Sequence, residues 1–203
     1  MKQRHLPQAS VYYYSFTLVL CVHHAYNIRM DNERTANLLG ALALALSDRM
    51  TEEAETRAEH GAAAPAALVS VGADPGLSVG ALAQIIGITH SATVRLVDRL
   101  AGDGLMERCA GVDGRSVGLR LTRRGAARRR AILIGRQQVL SQALAALPED
   151  EQAVLTPLIE TLLGAMTADR RQADHICRLC DEDRCPEAIC PVECTARRID
   201  AAS

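Results

Sequence analysis

The chain has 203 residues, of which 48% are apolar and 23% are charged, and its formal net charge is −1. This composition excludes a disordered chain, and no apolar run reaches the roughly 18 residues that a membrane-spanning helix needs. The length suits one globular domain with a short appendage. We therefore expect a cytoplasmic protein without a membrane partner.

The first 30 residues differ in composition from the rest of the chain. All four Tyr, the single Phe and the only Lys lie within the first 26 positions. A basic start followed by an apolar run is typical of a secretory signal, but His23 stands where cleavage requires a small residue. We therefore favour a native start at Met30, which places residues 1–29 upstream of it; otherwise we expect residues 1–30 to be a disordered, atypical extension.

Charge is concentrated in the middle of the chain. Residues 77–136 contain 11 Arg and four acidic residues, a net charge of +7, and the segments 31–76 and 137–203 on either side are both acidic. A concentrated block of Arg is expected for a surface that contacts nucleic-acid phosphates. A solvated helix face would carry similar charge, so charge alone does not decide between the two interpretations.

The hydrophobic periodicity predicts a mainly helical chain with one small β-hairpin. Apolar residues at steps of three and four predict a long helix over Asn32–Glu59, capped by Asp31 or Asn32. A short apolar helix over Pro65–Val71 follows, and the residues 73–76 after it have the composition of a turn.

Two short helices joined by a tight turn come next, which is the pattern of a helix-turn-helix. We expect them over Ser78–Ile86 and His90–Gly102, and Gly87 between them can adopt the positive φ of the turn. Side chains on the outward face of the second helix can reach base edges and phosphates in a major groove. The predicted DNA-contacting residues here are the helix caps Ser78 and Thr89 and the outward-facing His90, Ser91, Val94 and Arg95.

A β-hairpin is predicted directly after the helix-turn-helix, which makes it a wing. Its strands are expected over Leu105–Cys109 and Val117–Leu121, with a tip rich in turn residues at 110–116. Arg115 at the tip suits insertion into a narrow minor groove, and Asp113 is placed to orient its guanidinium.

Two further helices complete the predicted domain. Thr122 can cap a long helix that runs to Ala146, and we expect Arg123 and Arg124 in its first turn to neutralise DNA phosphates. The last helix of the domain is expected over Glu149–Asp169 with a kink at Pro157.

Three motifs in order resemble the MarR family of winged-helix regulators: Leu77–Gly87, Arg95–Leu100, and Asp113-Gly-Arg115 followed by Leu119–Thr122. The resemblance runs from about Leu38 to Met166. It implies a winged-helix domain over 31–170, with a DNA-binding core at 65–125 and dimerisation helices at 31–60 and 126–170. It also implies a homodimer that binds a pseudo-palindromic site in double-stranded DNA. We expect a small-molecule or redox effector as a further partner.

Residues 171–203 are predicted to form a separate cysteine-rich tail. Five of the seven cysteines lie there, with spacings of two, four, four and three residues between them: Cys177, Cys180, Cys185, Cys190 and Cys194. The tail contains too few apolar residues for a core of its own, so we expect a covalent or metal-centred structure.

Three kinds of centre are compatible with this spacing. Disulfides are disfavoured because the number of cysteines is odd and the domain is expected in the cytoplasm. Zinc often uses two Cys-x-x-Cys pairs, and only one is present. A compact run with Pro after two of the cysteines favours an Fe–S cluster on the first four, with Cys194 spare. His175 is a weaker candidate ligand.

Two functions therefore remain open at the level of sequence. The first is a dimeric DNA-binding transcriptional regulator whose activity is modulated by the metal centre. The second is a metal-carrying or Fe–S protein that uses the winged helix to contact another protein. We do not expect an enzyme, because the sequence offers no nucleophile–base set, no phosphate-binding loop and no open zinc motif.

Overall fold

The computed structural model describes residues 10–58, 60–111 and 117–202, with side chains described from residue 31 onward. In this part of the chain the helices are α1 (Ser10–Ala58), α2 (Ala64–Ala73), α3 (Val79–Ile86), α4 (His90–Gly102), α5 (Arg123–Leu144), α6 (Glu149–Met166), α7 (Arg170–Cys177) and α8 (Pro191–Asp200), and the strands are β1 (Met106–Ala110) and β2 (Val117–Leu121). The predicted fold class, a mainly α-helical winged helix with a small hairpin, is confirmed. None of the helices described is both long and apolar enough to cross a lipid bilayer.

Helix α1 begins much earlier than the sequence predicted. The expected start at Asn32, with a cap at Asp31 or Asn32, is wrong, because the helix begins at Ser10 and runs through both positions. The physical reason is that no Pro or Gly occurs between Ser10 and Gly40, so nothing in the backbone interrupts the helix. A capping side chain favours a helix start but does not impose one where helical residues precede it.

The chain divides after Ser47 into two compact units. The first unit consists of the amino-terminal part of α1, and its large apolar side chains at Leu38, Leu39, Leu42 and Leu44 are exposed. The second unit contains the rest of the molecule, including every residue predicted to bind DNA or metal.

The core of the second unit is built from aliphatic side chains, as expected from a chain without aromatic residues after position 26. Its largest fully buried members are Leu68, Leu82, Leu96, Leu100, Leu105, Met106, Leu119 and Ile132. They come from α2 to α5 and the hairpin, so a single core holds the two helices of the helix-turn-helix against the wing.

The wing is an antiparallel hairpin in which Met106 pairs with Leu121 and Ala110 pairs with Val117. A further bridge joins Ser78 to Gly118 and attaches the start of α3 to the hairpin. Gly118 lies so close to the Gly76 backbone that a Cβ would come within 2.7 Å of the Gly76 carbonyl oxygen.

Helix α6 has an unusual environment for a helix with so many apolar residues. Within the described chain it buries none of its residues. The helix continues through Pro157, and Thr161 donates a hydrogen bond to the Pro157 carbonyl. It ends at Met166, three residues before the predicted end.

The tail is more ordered than the sequence predicted. The expectation that it lacks a core is wrong, because α7 and α8 enclose a small buried cluster of Ala173, Cys190, Val192 and Ala196. Small side chains allow these two short helices to approach closely, so a few residues suffice. Helix α8 also packs on α6, and α7 packs on α3, so the tail is attached to the winged helix.

Candidate nucleic-acid interface and cysteine cluster

The helix-turn-helix is fixed by two hydroxyl caps and one left-handed glycine. Ser78 Oγ accepts a hydrogen bond from the backbone N–H of Ala81 (3.1 Å), and Thr89 Oγ1 accepts one from Ala92 (3.3 Å). Gly87 ends α3 with φ +73°, a conformation that residues with a side chain rarely adopt. The sequence predicted all three of these roles: Ser78 caps the start of α3, Thr89 caps the start of α4, and Gly87 forms the turn between them.

Helix α4 separates its buried and exposed faces as a recognition helix requires. Thr93, Leu96, Val97 and Leu100 are buried against the core. The predicted outward residues lie on the opposite side: His90, Ser91 and Arg95 are exposed and Val94 is half-buried. The structure therefore brings these four predicted residues together on one accessible face.

Arg95 on this face is exposed and available to a ligand. It makes no hydrogen bond or ion pair with the rest of the described chain, whereas its neighbour Asp98 binds Arg108 of β1 (2.8 Å). An unpaired guanidinium on an exposed helix offers up to five N–H donors in a planar fork, which suits bidentate contact with a base edge or a phosphate.

The two predicted phosphate contacts at the start of α5 have different environments. Arg123 is exposed. Arg124 is also exposed, but one of its terminal nitrogens donates to the backbone carbonyl of Asp103 (3.0 Å). This bond holds Arg124 against the turn after α4 and leaves its other donors accessible.

The wing tip contains the remaining predicted contacts. Asp113 and Arg115 lie outside the described residues, which stop at Gly111 and resume at Val117. Their roles stay predictions. The described part of the wing adds two ion pairs that sequence reasoning missed, Arg108 with Asp98 and Arg120 with Glu107 (2.7 Å). The Arg120–Glu107 pair follows from the strand register, in which these two residues stand opposite each other.

The tail contacts the helix-turn-helix through His175. Nδ1 of His175 donates to the backbone carbonyl of Ile85, near the end of α3 (2.7 Å). The ring also lies against the turn, because a Cβ on Gly87 would be 3.1 Å from its Cε1. The structure therefore shows His175 as a contact between the tail and the turn. Sequence reasoning missed this role, since the partners are 90 residues apart.

Four of the five tail cysteines line a single cavity of about 280 Å³ between the winged helix and the tail. These are Cys177, Cys180, Cys185 and Cys190. Cys194 lies elsewhere, with its Sγ near the carbonyls of Glu187 and Ala188. All the cysteines described are free thiols. As the side chains stand, no three His, Cys, Asp or Glu residues of the described chain converge closely enough to hold a metal ion.

The cavity thiols interact in two pairs, and their pKa values reflect this. A hydrogen bond from Cys177 lowers the pKa of Cys180 to about 6, with Arg136 contributing electrostatically. The same bond is the main cause of the raised pKa of Cys177. Burial raises the pKa of Cys185 to about 11, and its hydrogen bond with Cys190 adds to this shift. The four cysteines that line the cavity are those that the sequence assigned as cluster ligands, and their role as ligands stays a prediction.

Comparisons with known proteins agree with this architecture. A model of the MarR family matches residues 62–116. The YusO protein from Bacillus subtilis is 24% identical and covers 67% of this chain and 95% of its own, with a TM-score of 0.55. A MarR family protein from Bacillus stearothermophilus is 23% identical over 66% of this chain and 96% of its own, with a TM-score of 0.55. RV1404 from Mycobacterium tuberculosis is 25% identical, and the match covers 63% of this chain and 88% of RV1404, with a TM-score of 0.52. No curated protein matches the sequence.

Proposed function

We propose, from the MarR-family winged helix that this chain carries, that the protein is a transcriptional regulator that binds double-stranded DNA as a homodimer. The observation that carries the proposal is the exposed face of α4, where Arg95 has no hydrogen-bond or ion-pair partner among the described residues and lies beside His90 and Ser91. A fold alone does not define a function, so the proposal depends on these side chains.

Each part of the winged helix has a role in this proposal. Helix α4 enters the major groove, where His90, Ser91 and Arg95 bind base edges. Arg123 and Arg124, at the start of α5, bind phosphates and position the domain. At the wing tip, Arg115 enters the minor groove with its guanidinium held by Asp113, a role that rests on the sequence pattern.

Dimerisation is supported by the apolar surface of α6. Five large apolar side chains of this helix are exposed: Val154, Leu158, Ile159, Leu162 and Met166. A contiguous exposed apolar stripe of this kind marks an interaction surface. In this proposal the α6 stripe of a second copy of the chain packs against this stripe. The resulting symmetric dimer presents two copies of α4, which match the two halves of a pseudo-palindromic site.

The test is direct measurement of DNA binding by the full-length protein. A duplex selected from a random-sequence library by the wild type serves as the probe, and fluorescence anisotropy is recorded over a series of salt concentrations. We expect sequence-selective binding that weakens steeply with salt. Arg95→Ala should weaken binding by roughly tenfold or more and relax the selected sequence, since a base contact contributes about 1–3 kcal/mol. Arg115→Ala should also weaken binding.

The matched control is Arg198→Ala, which removes the same charge from an exposed position on α8. Among the described residues Arg198 bonds only to Cys194 and Thr195 of its own helix, so this variant should bind the probe like the wild type. If the wild type selects no sequence and retains no duplex at low salt, DNA binding is not its function. In that case a protein-contacting role for the winged helix becomes the better explanation.

A further inference from the structure

The proposed DNA contacts assign no function to the tail cysteines, yet four of these cysteines line one cavity. Cys177 ends α7, and the turn after it is closed by a hydrogen bond from the backbone N–H of Cys180 to the Cys177 carbonyl (2.7 Å). This Cys-x-x-Cys turn directs both thiols into the same cavity.

The second pair of thiols approaches the cavity from the start of α8. Cys190 is the residue that immediately precedes α8, and its backbone N–H donates to the Pro186 carbonyl (3.1 Å). The turn at 186–190 thereby brings Cys190 back towards Cys185. Two separate backbone turns thus deliver two thiol pairs to one cavity.

We propose that Cys177, Cys180, Cys185 and Cys190 together bind one metal centre through four thiolates, either a zinc ion or an Fe–S cluster. Both centres are held by four cysteine thiolates, so the ligand chemistry is shared. Cys194 is excluded from the ligand set because its sulfur lies against the carbonyls of Glu187 and Ala188.

Binding closes the site. The four thiols line one cavity but do not yet converge on one point, so the centre must draw them together. With zinc, four S–Zn bonds form, and each cysteine that still carries an S–H proton releases it to solvent. No electron is transferred in this step. Metal binding of this kind is coupled to the ordering of the segment that supplies the ligands.

The cavity is lined by charged side chains of both signs. Arg171 and Arg178 lie there with five carboxylates, namely Asp74, Asp174, Glu182, Glu187 and Glu193, while Arg136 lowers the pKa of Cys180 and Glu182 and Asp181 raise it. Arg178 is held in place by a hydrogen bond to the His175 carbonyl. The arginines favour the deprotonated ligands and the carboxylates oppose them, so the proposal depends on the convergence of the four thiols and not on the charge of the cavity.

The site is also connected to the DNA-reading helices, an inference that rests on the proposed function. Cys177 lies two residues after His175 on α7, and His175 binds the Ile85 carbonyl beside the turn of the helix-turn-helix. A centre that fixes the end of α7 therefore fixes this contact. Metal occupancy should favour one position of α3 relative to the tail and so strengthen DNA binding.

The metal is tested first, without DNA. The full-length protein is purified anaerobically, and its zinc, iron and acid-labile sulfide are measured alongside its absorption spectrum. We expect about one centre per chain. Zinc without visible absorption identifies a zinc site, and iron with sulfide and visible absorption identifies a cluster. A wild type with neither metal, which also fails to bind added Zn²⁺ after reduction of its thiols, overturns the proposal.

Variants then identify the ligands. Cys180→Ser and Cys190→Ser should lose the metal, whereas Cys194→Ser and Cys109→Ser should keep it. Circular dichroism verifies that each variant retains the helix content of the winged helix. Loss of metal in Cys194→Ser to the same extent as in Cys180→Ser would contradict the assigned ligand set.

The connection to DNA is measured separately with His175→Ala. This variant should keep its metal and bind the selected duplex roughly fivefold more weakly, as expected for the loss of one hydrogen bond. Removal of the metal by a chelator should weaken DNA binding of the wild type. Unchanged DNA affinity in both cases would refute the connection. If the wild type binds metal but no DNA, the metal site stands and the proposed function fails.

Discussion

Single residues determine how closely the helices and strands of the winged helix approach one another. Gly125, in the first turn of α5, lies against the end of the α4–β1 connection, and a Cβ there would be 1.8 Å from the Leu105 carbonyl oxygen. Thr122 secures the same junction. Its backbone N–H donates to the Leu105 carbonyl (3.1 Å), and its hydroxyl donates to the Gly104 carbonyl (2.6 Å). Because backbone atoms line this contact, no side-chain rotation can relieve an added methyl group.

Gly125→Ala should therefore destabilise the winged helix by about 2 kcal/mol or more, although alanine normally favours a helix. The free energy of unfolding in urea measures the effect. Gly102→Ala is the matched control, since nothing lies within 4 Å of the position where its Cβ would be. That variant should have wild-type or slightly higher stability. Equal stabilities for the two variants would show that the α5 junction relaxes easily.

Residue roles that depend on near neighbours in sequence were predictable, and those that depend on distant ones were not. The caps Ser78 and Thr89 and the turn at Gly87 follow from local backbone requirements. The contact of His175 with Ile85 joins residues far apart in sequence, and no periodicity or spacing indicates it. The burial of Thr93 was also predictable, because it follows from the helical spacing of the apolar residues on α4.

At the scale of elements, the tail is held together by an ion pair between its two helices. Arg170, the first residue of α7, binds Glu193 of α8 through two nitrogen–oxygen contacts of 2.6 and 3.2 Å. The hydrogen bond to Arg170 lowers the pKa of the Glu193 carboxyl below its ordinary value of 4.5. Ionised Glu193 therefore stabilises the folded tail above that pH, and this stabilisation is lost as the pH falls through the lowered pKa.

Glu193→Gln should reduce the free energy of unfolding by about 1 kcal/mol at pH 7, a modest value because the pair is partly exposed. The difference from the wild type should narrow as the pH is lowered below 4.5, since the wild-type carboxyl then takes up a proton and the amide cannot. Urea titrations at several pH values measure this. Glu52→Gln, at an exposed position on α1, is the control and should change little. A difference that stays constant with pH would show that the ion pair is not its cause.

The bounds of helices and strands were predicted best where a capping residue, a glycine or a turn marks the end of the element. The bounds of α3, α4 and the strands agree with the sequence to within about one residue, because caps, glycines and turn residues mark them. Helix α1 was predicted too short because a possible cap at Asp31 was taken for a start. The tail helices were not predicted because each has few apolar residues. They are held in place by packing of α7 on α3 and of α8 on α6, which the local sequence does not indicate.

At the scale of the whole molecule, the charge distribution and the apolar surfaces point to separate kinds of partner. The basic block at 77–136 coincides with the helix-turn-helix, the wing and the start of α5. The apolar stripe of α6 lies in an acidic segment instead. A protein that placed both features on one surface would have to bind nucleic acid and a second copy through the same residues. Here each feature lies on its own element.

The exposure of α6 allows the proposed homodimer to be tested. Leu158 and Leu162 are 57% and 47% exposed and stand one helical turn apart, at the centre of the apolar stripe. We expect the wild type to have twice the 21.8 kDa mass of one chain in light scattering coupled to size-exclusion chromatography. Leu158→Glu should shift the protein to monomers, because a dimer interface would bury the new carboxylate without a partner.

Thr156→Glu is the matched control, since Thr156 is exposed on the same helix but outside the apolar stripe. It adds the same charge to α6 and should leave the dimer intact. The monomeric Leu158→Glu variant should also bind the selected duplex far more weakly than the wild type, because each monomer contacts only one half of a pseudo-palindromic site. A Leu158→Glu protein that stays dimeric would place the dimer interface elsewhere than on α6. A wild type that is monomeric at the concentrations used for DNA binding would rule out the homodimer.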